Sequence, residues 1–299
     1  MKITFSAATF LFVALSGVAF AQPPAVNWAG PYVGASAGLS MAGNHIDTFN
    51  ELVEQFSGPF IPGRGIVIVP GTTSPFPASD FGGTKFVGGG QAGYAFALDN
   101  WVLGAEGDFG VGGQSSTVTA TGNIPATAIE PASNVTFTRS VSSNVNWSIR
   151  ARAGYAWDNF LLYGTAGLAG SHFKVSGFDT YNNPGGLSAS CAPAPCQSTS
   201  TAVTNTTNGS LASSRLGWTA GGGGEIALGG GFSIGLEFRH NDYGNQVFAL
   251  PTNNVSVTVP TVTTAGASTN GALPPRVDLG ATPINFMDDT FTVRLNFHL

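Results

Sequence analysis

Apolar and polar residues alternate with a period of two in eight short segments of this 299-residue chain. Such alternation is typical of β-strands that present one apolar and one polar face. The segments cover residues 33–39, 86–98, 101–111, 145–157, 160–168, 216–228, 232–238 and 291–299. The pattern predicts an all-β protein with eight strands.

The connections between these segments alternate between short and long. The short connections are rich in Asp, Asn and Gly, as hairpin turns are, and cover residues 98–100, 158–159 and 229–231. Residues 42–84, 113–143, 173–212 and 243–285 form four long connections. This order predicts an eight-stranded antiparallel up-and-down transmembrane β-barrel with short periplasmic turns and four long outer loops. Runs rich in β-forming residues at 65–69, 117–120, 134–138 and 254–259 predict that some strands continue into those loops.

Nine charged residues of the strand segments share one parity, opposite to the apolar positions. They are Glu106, Asp108, Arg150, Arg152, Arg215, Glu225, Glu237, Arg239 and Arg294. In a barrel this parity faces the lumen, and four acids and five bases there must nearly neutralise one another. A soluble β-sandwich is the alternative that the alternation also allows. The many Gly and Ala residues on the apolar face argue against its close-packed core.

Composition narrows the class further. Only 9% of the residues are charged, against roughly 25% in soluble domains. With 42 Gly the chain does not fit a helix bundle, and with 22 Phe and 5 Trp it does not fit a disordered chain. A formal net charge of −5 argues against nucleic-acid binding.

The first segment has the pattern of a secretory signal peptide. Lys2 precedes an apolar run over residues 3–20, and small residues at 19 and 21 predict cleavage after Ala21. The alternative is an N-terminal membrane anchor. We therefore predict a signal peptide at 1–21, a barrel domain at 22–299 and a location in the cell outer membrane.

Aromatic residues gather near the ends of the segments, as the interfacial girdles of such barrels do. Trp147 and Trp157 lie ten residues apart, which in a tilted strand is roughly 25 Å, the height of an apolar band. The predicted interfacial tryptophans are Trp28, Trp101, Trp147, Trp157 and Trp218.

Few other patterns point to chemistry. Cys191 and Cys196 lie in the third long connection, where an exported chain favours a disulfide. The Gly34-Ala-Ser36-Ala-Gly38 pattern lies within the first strand and lacks the following helix of a nucleophile elbow. Two histidines and three aspartates lie near the predicted outer rim, as polar residues exposed to solvent or, alternatively, as an enzymatic site. They are His172, His240, Asp242, Asp288 and Asp289.

The motifs along the strands resemble one known family. These motifs are Trp28-Ala-Gly-Pro-Tyr32-Val-Gly34, Gly89-Gly90-Gln-Ala-Gly93-Tyr94, Gly104-Ala-Glu106-Gly-Asp108, Arg150-Ala-Arg152-Ala-Gly154-Tyr155, Tyr163-Gly-Thr-Ala-Gly167-Leu-Ala, the run from Gly217 to Glu225, and Glu237-Phe-Arg239. In this order they are similar to the opacity-protein-like, porin-like outer-membrane barrels of alphaproteobacteria. The resemblance implies a surface antigen or envelope-integrity protein, and some members are reported to bind haemin.

Together these patterns predict a structural and surface-interaction role without catalysis. An eight-stranded barrel has an interior just wide enough for side chains to fill, which favours a plugged lumen over the alternative of a narrow porin for small solutes. An outer-membrane enzyme and a haemin-binding surface protein are the less favoured alternatives. We expect no cofactor and no metal, and the expected partners are outer-membrane lipid and lipopolysaccharide.

Overall fold

The computed structural model describes residues 27–54, 72–113, 115–124, 132–183, 186–191, 196–200, 203–249, 253–257, 262–264, 267–269, 276–277 and 281–299. The proposed signal peptide and its cleavage after Ala21 lie outside these ranges, as does the run at 65–69, and remain predictions. Within these ranges no helix is long and apolar enough to cross a membrane.

Eight long strands form the wall of the molecule. They are β1 (Gly30–Ala42), β2 (Thr84–Leu98), β3 (Trp101–Gly112), β4 (Ser133–Trp157), β5 (Phe160–Asn183), β6 (Val203–Gly229), β7 (Phe232–Ala249) and β8 (Ala281–His298). Each strand pairs antiparallel with the next, and β1 pairs with β8. The sheet therefore closes, and the predicted eight-stranded antiparallel up-and-down barrel is confirmed.

Three tight turns connect the strands at one end. Asp99 and Asp158 have φ of 53° and 49°, and Gly230 has φ of 63°. Asp tolerates this left-handed backbone better than most residues with a side chain, and Gly adopts it without steric cost. These are the short turns that the sequence predicts.

The middle strands are longer than the alternating segments. β4 has 25 residues, β5 has 24 and β6 has 27, so they continue well past the apolar belt, as the β-prone run at 134–138 predicts. Shorter strands complete this upper part: Asn44–Ile46, Phe49–Glu54, Thr72–Phe76, Ser79–Phe81, Ser115–Ile124, Gly186–Cys191, Cys196–Ser200, Asn253–Val257, Val262–Thr264, Ala267–Thr269 and Arg276–Val277.

The outer wall of the lower part is an apolar belt. Large side chains such as Phe86, Leu103, Ile149, Leu168 and Leu228 are 41–67% exposed there. In water this would be a costly apolar surface, but against lipid it is the expected one. We call the barrel at the height of this belt the lower half, and the part beyond it, away from the tight turns, the upper half.

The upper half has a different interior. Its inward side chains form an apolar core that includes Phe137, Phe173, Val175, Phe248 and Phe286, each fully buried. Strand Ser115–Ile124 contributes Val118 and Ala120 to the same core. The upper half is thus a packed β-structure in its own right.

Candidate functional site

The lumen of the lower half holds the charged side chains that parity predicts to face inward. Alternation places them there because every second residue of a strand points to the same face. Eight of the nine form one network of ion pairs: Glu106, Asp108, Arg150, Arg152, Glu225, Glu237, Arg239 and Arg294. Four carboxylates and four guanidinium groups give this network a formal charge of zero.

A ring of four alternating charges lies at the centre of the network. Arg150 on β4 is 2.5 Å from Glu106 on β3 and 2.8 Å from Glu237 on β7. Arg294 on β8 pairs with the same two carboxylates. Strands β3 and β4 lie across the barrel from β7 and β8 in the strand order, so this ring spans the lumen.

Below the ring, towards the tight turns, Arg152 holds a second group of contacts. Its guanidinium lies 2.6 Å from Glu225 and 3.6 Å from the centre of the Tyr163 ring. The Tyr32 hydroxyl donates to Glu106 at 2.7 Å and accepts from Arg152 at 3.3 Å. The tyrosines therefore fill the space between the charges as well as satisfying them.

Above the ring, Asp108 connects the remaining guanidinium groups. It is 3.0 Å from Arg239 and 3.1 Å from Arg150, and it accepts a hydrogen bond from Ser148. All the side chains of the network are at most 12% exposed. A buried guanidinium or carboxylate is tolerated only when opposite charge and hydrogen bonds compensate its lost hydration, and here each one has such a partner.

Arg215 corrects the predicted set of nine. It faces inward as predicted, but it lies in the upper half opposite Ser171, 5.7 Å from the centre of the Phe248 ring. No carboxylate among the described residues lies within ion-pair distance of it. Parity predicts which face of the sheet a side chain takes, but it does not predict the height of that side chain along the barrel. For this reason the parity of Arg215 did not show that it lies apart from the other eight charges.

Trp28 also departs from its prediction. It is only 6% exposed, and its ring packs edge-on against His298 at a centroid distance of 5.4 Å. It precedes β1 and closes the lower end of the lumen, where strand alternation no longer determines which face it takes. The other four tryptophans, Trp101, Trp147, Trp157 and Trp218, are 37–57% exposed on the outer wall.

Several inward-facing side chains of the barrel were not among the residues predicted from the sequence. Tyr32 and Tyr163 have the inward parity of the charges, so parity could have identified them. Arg139 and Asp179 form a second buried pair in the upper half, and both side chains are fully buried. That pair lies in segments that the sequence assigned to loops.

The cysteines are placed opposite each other by the backbone. Cys191 ends one short strand, Cys196 begins the next, and the two are register partners. Their side chains are not among those described, so the disulfide remains a prediction.

The histidine and aspartate residues of the outer rim do not form one site. His240 faces outward, beside Trp218, and lies 2.7 Å from Asp289. Asp288 faces inward, where it accepts a hydrogen bond from Ser40 at 2.9 Å. The wall separates the groups that a rim enzyme would combine, and within the described ranges no cluster of three or more His, Cys, Asp or Glu residues is placed to hold a metal ion.

Comparison with known proteins agrees with this architecture. The family model of the outer membrane protein beta-barrel domain matches residues 10–263. The 31 kDa outer-membrane immunogenic proteins of Brucella melitensis and Brucella suis are each 30% identical over 228 residues, 74% of this chain and 73% of theirs.

Two solved structures of outer-membrane proteins match this chain with low TM-scores. Ail of Yersinia pestis has a TM-score of 0.29 and 11% identity, covering 90% of this chain and 99% of its own. The outer membrane protease OmpT from Escherichia coli has a TM-score of 0.38 and 10% identity, covering 92% and 99%.

Proposed function

The chain belongs to the outer membrane β-barrel protein family, and we propose that it acts there as a sealed structural barrel that displays its upper half at the cell surface. In this role it supports the envelope and presents a surface antigen, and no catalytic step is involved. Its apolar belt contacts outer-membrane lipid, because the proteins of this family lie in the outer membrane.

The observation that carries this proposal is the ring of Glu106, Arg150, Glu237 and Arg294. Its members come from opposite sides of the barrel and pair across the lumen. Opening a path for a solute would separate buried, oppositely charged groups, and breaking such a pair costs about 3–5 kcal/mol. The apolar core of the upper half lies above this ring and adds a second barrier to solutes.

Planar-bilayer recording tests the sealed lumen. Protein whose unboiled and boiled samples migrate differently on a gel, as a folded barrel does, is expected to give no discrete conductance steps. Steps whose size changes in Glu106→Gln would instead establish the narrow porin. Antibodies raised against the folded chain should also bind intact cells, and binding only after the outer membrane is broken would contradict surface display.

A further inference from the structure

The outer face of the upper half carries an unusual array of side chains on four adjacent strands. Strand Ser115–Ile124, β4, β5 and β6 each contribute four alternate outward residues, within 115–121, 136–142, 174–180 and 206–212. Of these sixteen positions, twelve are Ser or Thr, and the others are Lys174, Phe178, Asn208 and Ala212. We call this surface the hydroxyl face.

The centre of the hydroxyl face is a shallow groove around one aromatic ring. Phe178 is 48% exposed and lies between Thr138 and Asn208 on the neighbouring strands. Ser140, Ser176 and Ser210 form the adjacent row, and the groove between the rows has a volume of about 330 Å³. An exposed ring amid hydroxyl and amide groups offers both apolar contact and hydrogen bonds.

The hydroxyl groups retain capacity for a ligand. Thr117 and Ser140 share one hydrogen bond of 2.9 Å, and Thr119 and Thr138 share one of 3.2 Å. Each hydroxyl has one donor and two lone pairs, so every such pair keeps a donor and three lone pairs for outside groups. Soluble surfaces usually carry about 25–35% charged residues, whereas Lys174 is the one charge among the sixteen positions of this face.

The face continues directly from the lipid-facing wall. Along the outward side of β5, Leu168 in the belt is followed by Gly170, His172 and Lys174, and then by Ser176, Phe178 and Thr180. The order is apolar, cationic and then hydroxyl-rich. A lipopolysaccharide molecule in the outer leaflet presents the matching order: acyl chains, a phosphorylated headgroup and a saccharide.

From this match we propose that the hydroxyl face binds the saccharide of lipopolysaccharide, with Phe178 packing against the apolar face of a sugar ring. Lys174 then lies at the height of the phosphorylated headgroup, where an ammonium group attracts phosphate. The proposal rests on the orientation in the proposed function, with the upper half outside the cell.

Titration of the folded full-length protein in detergent with core oligosaccharide released from lipopolysaccharide by mild acid tests this. The probe lacks the acyl chains, so binding cannot come from the lipid-facing belt. We expect calorimetric binding that Phe178→Ala weakens roughly tenfold, because a stacked ring contact is lost. Phe178→Tyr keeps the ring and should bind like the wild type.

Two further variants protect the result against misfolding and non-specific effects. Ser176→Glu places a charge and a longer side chain in the groove and should also lower the affinity. Val247→Ala, at a residue of β7 that is 58% exposed outside the hydroxyl face, should have no effect. Absence of wild-type binding, or equal binding by all variants, would overturn the proposal.

Sedimentation of the same samples distinguishes a second copy of the chain as the occupant. Self-association that Ser176→Glu abolishes would assign the face to a dimer instead and so overturn the saccharide proposal. A chain that conducts no ions yet binds no oligosaccharide would contradict this inference and leave the sealed-barrel proposal intact.

Discussion

The lower and upper halves of the barrel are built from the same strands, but their polar and apolar side chains face in opposite directions. Along β5 in the lower half, Leu162 and Leu168 face outward, whereas Tyr163 and Thr165 are buried in the lumen. In the upper half, Lys174 and Thr180 face outward, whereas Phe173, Val175 and Tyr181 are buried. The polar side thus changes from inside to outside along one continuous strand.

The medium around the wall explains the inversion. Lipid accepts apolar side chains on the outer wall, so the polar residues of the lower half collect in the lumen and must neutralise one another. Above the belt the wall meets water, and the usual burial of apolar residues returns. Alternation alone does not show whether the polar side of a strand faces inward or outward. The type of polar residue does, because charged groups line the lumen of the lower half, whereas uncharged hydroxyl groups dominate the hydroxyl face.

The largest expected effect comes from breaking the charge balance of the lower half. Glu106→Ala removes a carboxylate that pairs with Arg150 and Arg294, and leaves the network with an excess positive charge. We expect a loss of about 4 kcal/mol in the free energy of unfolding, measured by urea titration of tryptophan fluorescence in lipid vesicles.

The control for this variant is Asp80→Ala, because the Asp80 side chain is 91% exposed and its ion pair with His45 lies in solvent. Exposed pairs contribute little, so its loss should change stability by less than about 1 kcal/mol. The double variant Glu106→Ala/Arg150→Ala restores neutrality and should lose less than the sum of the single variants. Strict additivity would show that the pairing of Glu106 with Arg150 on the neighbouring strand contributes nothing.

The second effect concerns the upper half alone. Phe173 is fully buried, with its ring centre 4.4 Å from that of Phe286. Phe173→Ala should cost about 3 kcal/mol by leaving a cavity. Because the damaged core lies above the belt, amide exchange should increase in the upper part of β5, while the gel shift of the folded barrel persists.

Phe178→Ala is the matched control for that prediction, since the same change is made on the same strand but on the outer face. Its effect on stability should be within ~0.5 kcal/mol. If the two variants were equally destabilised, the upper half would not have the separate apolar core described above.

The comparison also shows what could be predicted from the sequence. The period of two, the Asp and Gly turns and the parity of Arg150 or Glu237 are local properties, so the strands, their order and the inward face of the charges were predictable. The partners of each charge depend on how the strands are staggered around the closed barrel. For this reason Arg215 was assigned to a network that it does not join.

The upper core was not predicted because its signal is weaker. In the run at 134–138, Val135 and Phe137 alternate with Asn and Thr, which indicates a strand without showing what its apolar face contacts. The partner of that face, around Phe173 and Phe286, comes from distant parts of the chain. The prediction for Trp28 was wrong because this residue lies outside every alternating segment, so no parity indicates which way its side chain points.

The smallest expected effect lies at the boundary between the halves, where His240 faces outward beside Trp218. The hydrogen bond that the His240 ring donates to the Asp289 carboxylate raises the pKa of His240 above its ordinary value, and the nearby charges of Asp289 and Asp242 act in the same direction. A raised folded-state pKa means that this pair stabilises the barrel fully below the ordinary histidine pKa, near 6.5, and that the contribution is lost as the pH rises through the folded-state pKa. NMR titration of the ring carbons, assigned with His240→Gln, should show the raised pKa, and Asp289→Asn should lower it. An unchanged pKa in Asp289→Asn would mean that the outward pair at the boundary does not form.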